Sequence, residues 1–208
     1  MMRILICFLF LAGSLTSSAQ VKSILLDNKD QIVTDTAMAV AQAVFGKIEG
    51  DTVYSFKKFD LDGVLLTSGS FKDDSLHIPH GKFVYYDWVN AGDMYAAENY
   101  LIDGKERYIM VSGSFNNGLR FGKWLSFYQN GTVKEVALYA AGTLNGVYQR
   151  YTTAGKVDVS GTYISGKKTG TWILRGGKRE DEYVDDKLIS SLTGKKLREK
   201  QAQSKNPG

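Results

Sequence analysis

Cysteine, proline and histidine are nearly missing from these 208 residues, with one, two and two occurrences respectively. The single cysteine, Cys7, lies in the apolar stretch from Ile4 to Gly13, so the rest of the chain has no disulfide framework and a packed core must hold it. So little proline beside 22 glycines excludes a proline-rich or collagen-like chain and suits many tight turns between strands. No apolar run reaches the roughly 18–20 residues that a membrane span needs. The formal net charge of +4 is spread along the chain, without the basic stripe of a nucleic-acid binder. Both histidines, His77 and His80, lie outside the regular part of the sequence, and no carboxylate pair recurs there. A nucleophile–base triad or an acid/base dyad therefore has no visible members, and the expectation is a protein that is not an enzyme and needs no cofactor or metal.

What is present begins with Met1-Met2-Arg3, a short hydrophobic run and the small-residue exit Ser14-Leu-Thr-Ser-Ser-Ala19. This pattern predicts a secretory signal peptide over 1–19, cut after Ala19. Cys7 is not placed at the cut, so a lipid anchor is not expected. Removing 19 of 208 residues leaves 189, enough for one domain, exported to the periplasm or beyond and probing its partners as a monomer. Beyond the signal, the expected divisions are an N-terminal cap segment at 20–49, a repeat domain at 50–190 and a flexible basic tail at 191–208.

The repeat is exact in period. Gly118, Gly142 and Gly166 form one series and Gly122, Gly146 and Gly170 a second; Phe115, Tyr139 and Tyr163 form a third and Trp124, Tyr148 and Trp172 a fourth. Phe127 recurs as Tyr151, Gly131 as Gly155, and Val133 as Val157, all 24 residues apart. Glycine and apolar residues in fixed phase mark units that bury their faces on their neighbours. Each unit reads as a hairpin: a strand near Lys123–Gln129, a two-residue type I′ turn at Asn130-Gly131, and a return strand near Val133–Tyr139. Loops Gly118 to Gly122, Gly142 to Gly146 and Gly166 to Gly170 then join the hairpins into a mainly β, elongated antiparallel meander.

Upstream, Ile24-Leu25-Leu26 suggests a first edge strand before the turn-like Asp27–Asp30, followed by a short helical turn at about 35–39 and a strand at about 41–48. Asp62-Gly63 signals another hairpin. The eight-residue step from Gly63 to Phe71 recurs from Gly92 to Tyr100, from Gly131 to Tyr139 and from Gly155 to Tyr163. Extra residues around Asp73–Pro79 and Asp87–Ala91 predict longer loops in the early units. Downstream, one last strand is expected near Tyr183–Ile189, before a mobile tail from Gly194.

The unit Gly-x-Tyr/Phe-x-x-Gly-x-x-x-Gly-x-Trp-x-x-Phe/Tyr-x-x-Asn/Ala-Gly resembles the variant MORN repeat of secreted bacterial proteins, closely over Gly113–Trp172 and more loosely over Gly50–Tyr100. The resemblance implies one β-hairpin per repeat in an elongated, curved sheet. It also implies roles such as membrane apposition, scaffolding or, among bacterial examples, toxin neutralisation, although a fold carries little about function by itself. The leading expectation is an exported module that binds a protein or glycan partner along its sheet. The alternative is a membrane-surface scaffold contacting anionic lipid, weakly and in a salt-sensitive way. Candidate contacts for either are Arg120, Lys123, Tyr128, Arg150, Lys167 and Lys168.

Four features invite sharper readings. Trp124, Tyr148 and Trp172 suit a sugar-stacking platform or a membrane stripe, but large aromatics at one phase of every unit suit core filling better. Gly161 to Lys168 nearly spells a phosphate loop, yet Lys168 stands where a metal-binding Ser or Thr belongs and no helix follows. His77-Ile-Pro-His80 with Asp73 or Asp74 has the residue types of a metal site on a poor, proline-containing template. Asn130-Gly131-Thr132 matches a glycosylation acceptor, which the hairpin turn accounts for without any glycan.

Overall fold

The computed structural model describes residues 20–89, 101–102 and 105–205. The signal peptide at 1–19, Cys7, the Gly92–Tyr100 step and residues 90–91 of the second expected loop lie outside them, whereas Asp87 and Trp88 end a strand. The elements are β1 (Gln20–Leu26), β2 (Ile32–Val33), a 3-10 turn (Thr36–Met38), β3 (Ala41–Lys47), β4 (Tyr54–Asp60), β5 (Leu65–Phe71), β6 (Gly81–Trp88), β7 (Leu101–Ile102), β8 (Lys105–Asn116), β9 (Leu119–Phe127), β10 (Val133–Ala140), β11 (Thr143–Tyr151), β12 (Val157–Ile164), β13 (Lys167–Leu174), β14 (Arg179–Val184), β15 (Lys187–Thr193) and α1 (Gly194–Lys205). Fourteen strands lie side by side in antiparallel order from β15 down to β8 and then β6-β5-β4-β3-β1-β2, while β7 pairs with β8 off this path. Thirteen spacings of about 4.8 Å make a sheet roughly 60 Å across. The mainly β meander expected from the repeat is therefore observed, and the cap strands β1 and β3 join the same sheet as the repeats, Ala41 facing Asp60 across β3 and β4.

Two turn types alternate, and this corrects where the sequence reading put the tight ones. The two-residue type I′ turns are Asn117-Gly118, Ala141-Gly142 and Ser165-Gly166, with both residues of each at positive φ (50° and 84°, 46° and 81°, 50° and 84°). At Gly131 the turn is longer. Gly131 N donates to the Tyr128 carbonyl at 2.9 Å and Tyr128 N to the Thr132 carbonyl at 2.8 Å, which is a type I turn closed by a left-handed glycine at φ 77°. Asn130 stays at negative φ because its carboxamide is used otherwise, accepting from Thr132 N at 3.0 Å and donating to the Thr153 carbonyl at 3.2 Å. Asp60–Gly63 and Thr152–Gly155 have the same geometry.

The Gly118 to Gly122 segment is not a loop, since β9 starts at Leu119 and runs through Gly122. Ser112 faces Leu125 but Ser114 faces Phe121, so Gly113 opposes three residues, and Gly122 at φ 67° absorbs the bulge. Similar shifts recur opposite Gly146 and Gly170. Two further expectations are replaced. Where one final strand was expected there are two, β14 and β15, joined by Asp185-Asp186 at φ 49° and 68°, a conformation Asp tolerates; the Asp186 carboxylate accepts from Lys168 N at 2.7 Å. The expected mobile tail forms α1 over Gly194–Lys205: Leu197 is 3% exposed and Lys200 pairs with Glu180 of β14, contacts that give the segment a reason to order. The helical turn near 35–39 and the strand after it appear as expected, with the Asp35 carboxylate accepting from Ala37 N at 2.9 Å. The first strand, β1, is not a bare edge, because β2 folds back along its outer side.

Large and small residues alternate along one row that crosses the sheet. Phe56 faces Gly69, Phe83 faces Gly113, Trp124 faces Ala137 and Ala137 faces Tyr148, Tyr148 faces Gly161, and Trp172 faces Asp181. Residues paired across antiparallel strands share a face, so these side chains cover one side. Each ring occupies the space where its neighbour's Cβ would be: an ideal Cβ on Gly113 would fall 2.1 Å from Trp124, on Gly161 2.2 Å from Trp172, and on Gly69 2.4 Å from Phe83. A flanking row of Phe71, Phe115, Tyr139, Tyr163 and Tyr183 adds edge-to-face contacts, such as Phe115–Trp124 and Tyr163–Trp172 with centroids 5.0 Å apart. Trp124 and Trp172 are 4% and 1% exposed, so this single-layer sheet makes its core from one aromatic face.

Candidate functional site

Strand alternation divides the candidate contact residues between two faces instead of gathering them. Arg120 pairs with Phe115 and Lys168 with Tyr163, so both belong to the aromatic face. There they cover the tryptophans: the Arg120 guanidinium is 4.4 Å from the Trp124 ring centre and the Lys168 ammonium 4.7 Å from that of Trp172. Arg150 is in a polar cluster on the same face, bound to Asp158 at 2.8 Å beside Glu135, whose carboxylate accepts from the Tyr148 hydroxyl at 2.7 Å. Burial pushes the Tyr148 phenol well above its ordinary value, and the bond to Glu135 adds to the rise. Tyr128 lies in the Gly131 turn with its hydroxyl donating to the Tyr151 carbonyl at 2.7 Å. Only Lys123, facing Leu138, and Lys167, facing Ile164, are on the opposite side. Four strand spacings, roughly 19 Å, separate those two.

That opposite face has a composition of its own. Exposed Lys57, Lys82, Lys123, Lys167 and Lys187 fall on it by register, and none of the five has an ion-pair partner among the described residues. Between them stand Leu119, Phe121, Val147 and Ile164, each 48–54% exposed. Phe121 belongs here because it pairs with Ser114, the neighbour of inward-facing Phe115, and Val147 because it pairs with Thr162. Sequence reading missed these apolar residues, since Phe121 and Val147 fall at different phases of the 24-residue unit, where the equivalent positions are polar: Asn145 and Thr169 for Phe121, Lys123 and Thr171 for Val147.

The aromatic face also has an opening near its N-terminal end, a cleft of about 500 Å³. Phe56, Phe71 and Phe83 line it together with Ile32, Leu76, Thr67, Tyr85 and the Lys58–Asp30 ion pair. One wall is the loop between β5 and β6, where the Asp73 carboxylate accepts from Ser75 Oγ at 2.5 Å, His77 N at 2.9 Å and Ile78 N at 2.7 Å. Burial alone would raise the Asp73 carboxyl, but these hydrogen bonds outweigh it and leave its pKa at about 2. They also hold Leu76 at φ 60°, an unusual conformation for leucine, with its side chain against the Phe56 cluster. Nothing in the repeat phase marks Lys58 or Tyr85, and the cleft exists only because the inserted loop folds back over the sheet.

The histidines are not gathered as metal ligands. His77 is 80% exposed with Nδ1 3.7 Å from Asp73, whereas His80 Nδ1 accepts from Asn117 N at 3.2 Å. Among the described residues no group of three His, Cys, Asp or Glu side chains is placed to hold an ion. The near phosphate loop is a strand, the Ser165-Gly166 turn and another strand. No family model matches this sequence, and no curated protein is significantly similar to it.

Proposed function

We propose that this protein is an exported, non-enzymatic repeat module of the variant MORN type that binds a protein or glycan partner along the face opposite its aromatic core. The observation carrying the reading is the division of labour between faces. One side is consumed by its own rings, glycines and covering cations, while the other leaves Leu119, Phe121, Val147 and Ile164 about half exposed. Apolar side chains grouped on one face of a soluble protein mark an interaction surface. The double variant Phe121→Ser/Ile164→Ser tests this: fold stability should change by less than about 0.5 kcal/mol per site, and a partner retained by the wild type should be lost. Equal retention by both proteins rejects the reading. Export is tested by intact-mass spectrometry, which should find a chain beginning near Gln20; an uncut or acylated N-terminus refutes it.

The unpaired lysines favour a second reading, a scaffold on anionic membrane. Lysines near such a surface contribute roughly 1 kcal/mol each at low salt and little at high salt. Sedimentation with phosphatidylserine-containing vesicles separates the two readings, since no pelleting at low salt rejects the scaffold.

A further inference from the structure

The cleft on the aromatic face differs from the rest of that face in being unfilled. Elsewhere the two tryptophans are capped by a cation. Here half-buried Phe71, between the buried rings of Phe56 and Phe83, forms an edge-to-face floor, with centroids 5.1 and 5.5 Å apart, below about 500 Å³ of space. That volume is in the range of small-molecule sites, which are mostly apolar with a few placed polar groups.

The polar groups indicate the charge of the occupant. Lys58 stands on the row Ala43–Lys58–Thr67–Tyr85 and brings its ammonium into the apolar cleft, its side chain only 19% exposed. Its counter-ion, Asp30, is 64% exposed and sits on a left-handed turn residue at φ 61°. The cation is thus held inside and the carboxylate at the rim, where it is open to solvent and another anion can take its place. Thr67 and Tyr85 add hydroxyls beside it.

We infer that this cleft binds a small amphiphile with one negative head group, its flat or aliphatic body lying on Phe56, Phe71 and Phe83 and its carboxylate or sulfonate on Lys58 in place of Asp30. The site is on the opposite side of the sheet from the proposed partner surface and stands or falls independently of it.

Two fluorescent probes that share an aromatic body test this on the mature full chain: anionic 1-anilinonaphthalene-8-sulfonate and neutral N-phenyl-1-naphthylamine. Wild type should bind both saturably at one site. Lys58→Met should weaken the anionic probe at least tenfold and change the neutral one less than twofold, the latter showing that the cleft is still folded. Asp30→Asn should tighten the anionic probe several-fold, and Thr67→Trp, which fills the cleft, should abolish both signals. Absence of saturable binding to wild type overturns the inference, as does an anionic affinity untouched by Lys58→Met, by Asp30→Asn or by Thr67→Trp. Equal loss of both probes in Lys58→Met overturns the role of charge.

Discussion

Adding one methyl group at Gly161 should damage this protein more than adding one at any of its exposed turns. Gly161 is in mid-strand without positive φ, so alanine there meets no backbone strain, and taken alone the change should favour folding by about 0.5–1 kcal/mol. What it meets is Trp172. The new Cβ would lie 2.2–2.7 Å from three ring atoms, so the indole must retreat by about 1.2 Å to reach an ordinary 3.4 Å contact. Trp172 is 1% exposed, packed on Tyr163 at 5.0 Å and covered by Lys168, and has no room to move. Overpacking of this kind costs about 1–3 kcal/mol, and expelling the ring altogether about 3–5. We expect Gly161→Ala to destabilise by about 2–4 kcal/mol in guanidinium unfolding followed by fluorescence and circular dichroism. The same sheet supplies the rescue, because one unit earlier Ala137 stands at the phase of Gly161 and Tyr148 at the phase of Trp172, while Trp124 faces Ala137 from the other neighbouring strand. Trp172 Nε1 has no hydrogen-bond partner, so Trp172→Tyr loses none. Gly161→Ala/Trp172→Tyr should therefore be more stable than the sum of its single changes by about 0.5–3 kcal/mol. A Gly161→Ala effect below about 0.5 kcal/mol, or a strictly additive pair, would refute the interlock.

At the hairpin ends, Gly131 and Gly155 have φ of 77° and 74°, so Gly131→Val and Gly155→Val should each cost about 1–3 kcal/mol in the same denaturation assay. Trp124→Ala should cost about 3–5 kcal/mol by removing a 4%-exposed ring and its Nε1 bond to the Ser114 carbonyl. Because the Asp73 carboxyl is lowered from 3.8 to about 2, its contribution is complete above pH 4 and lost as pH falls through 2. An acid titration of stability should show Asp73→Ala losing that dependence, on the order of 1 kcal/mol given solvent screening at the loop. With His77 exposed and His80 engaged by Asn117, zinc should leave the melting temperature unchanged.

The repeat was legible because each 24-residue unit makes the same local bonds, and a strand-forming aromatic at fixed phase has one place to go. The turn assignments were less so. Asn-Gly is the strongest type I′ signal, yet Asn130 is drawn into a side-chain bridge to Thr153, while Ala141-Gly142, a poorer signal, takes the two-residue turn because its glycine and the strand register demand it. Bulges at Gly122, Gly146 and Gly170 were invisible for a related reason: glycine in strand-like text reads as a loop, and only pairing with the next strand shows that the chain continues. Candidate site residues were chosen by charge and repeat position, whereas face is decided by strand parity. Arg120 and Lys123, three residues apart, consequently end on opposite sides. The Lys58 cleft depends on the Asp73–Pro79 insertion, which obeys no period.

Face assignment is what the proposed function rests on, and a photo-crosslinking amino acid scanned along two columns of the sheet tests it directly. One column is Lys123, Val147 and Thr171 on the open face, and the other is Arg120, Leu144 and Lys168 on the aromatic face, each stepping by 24 residues. With partner or anionic vesicles present we expect adducts from all three positions of the first column and none from the second. Adducts from the Arg120 column alone would put the working surface on the aromatic face and contradict the division of labour proposed here.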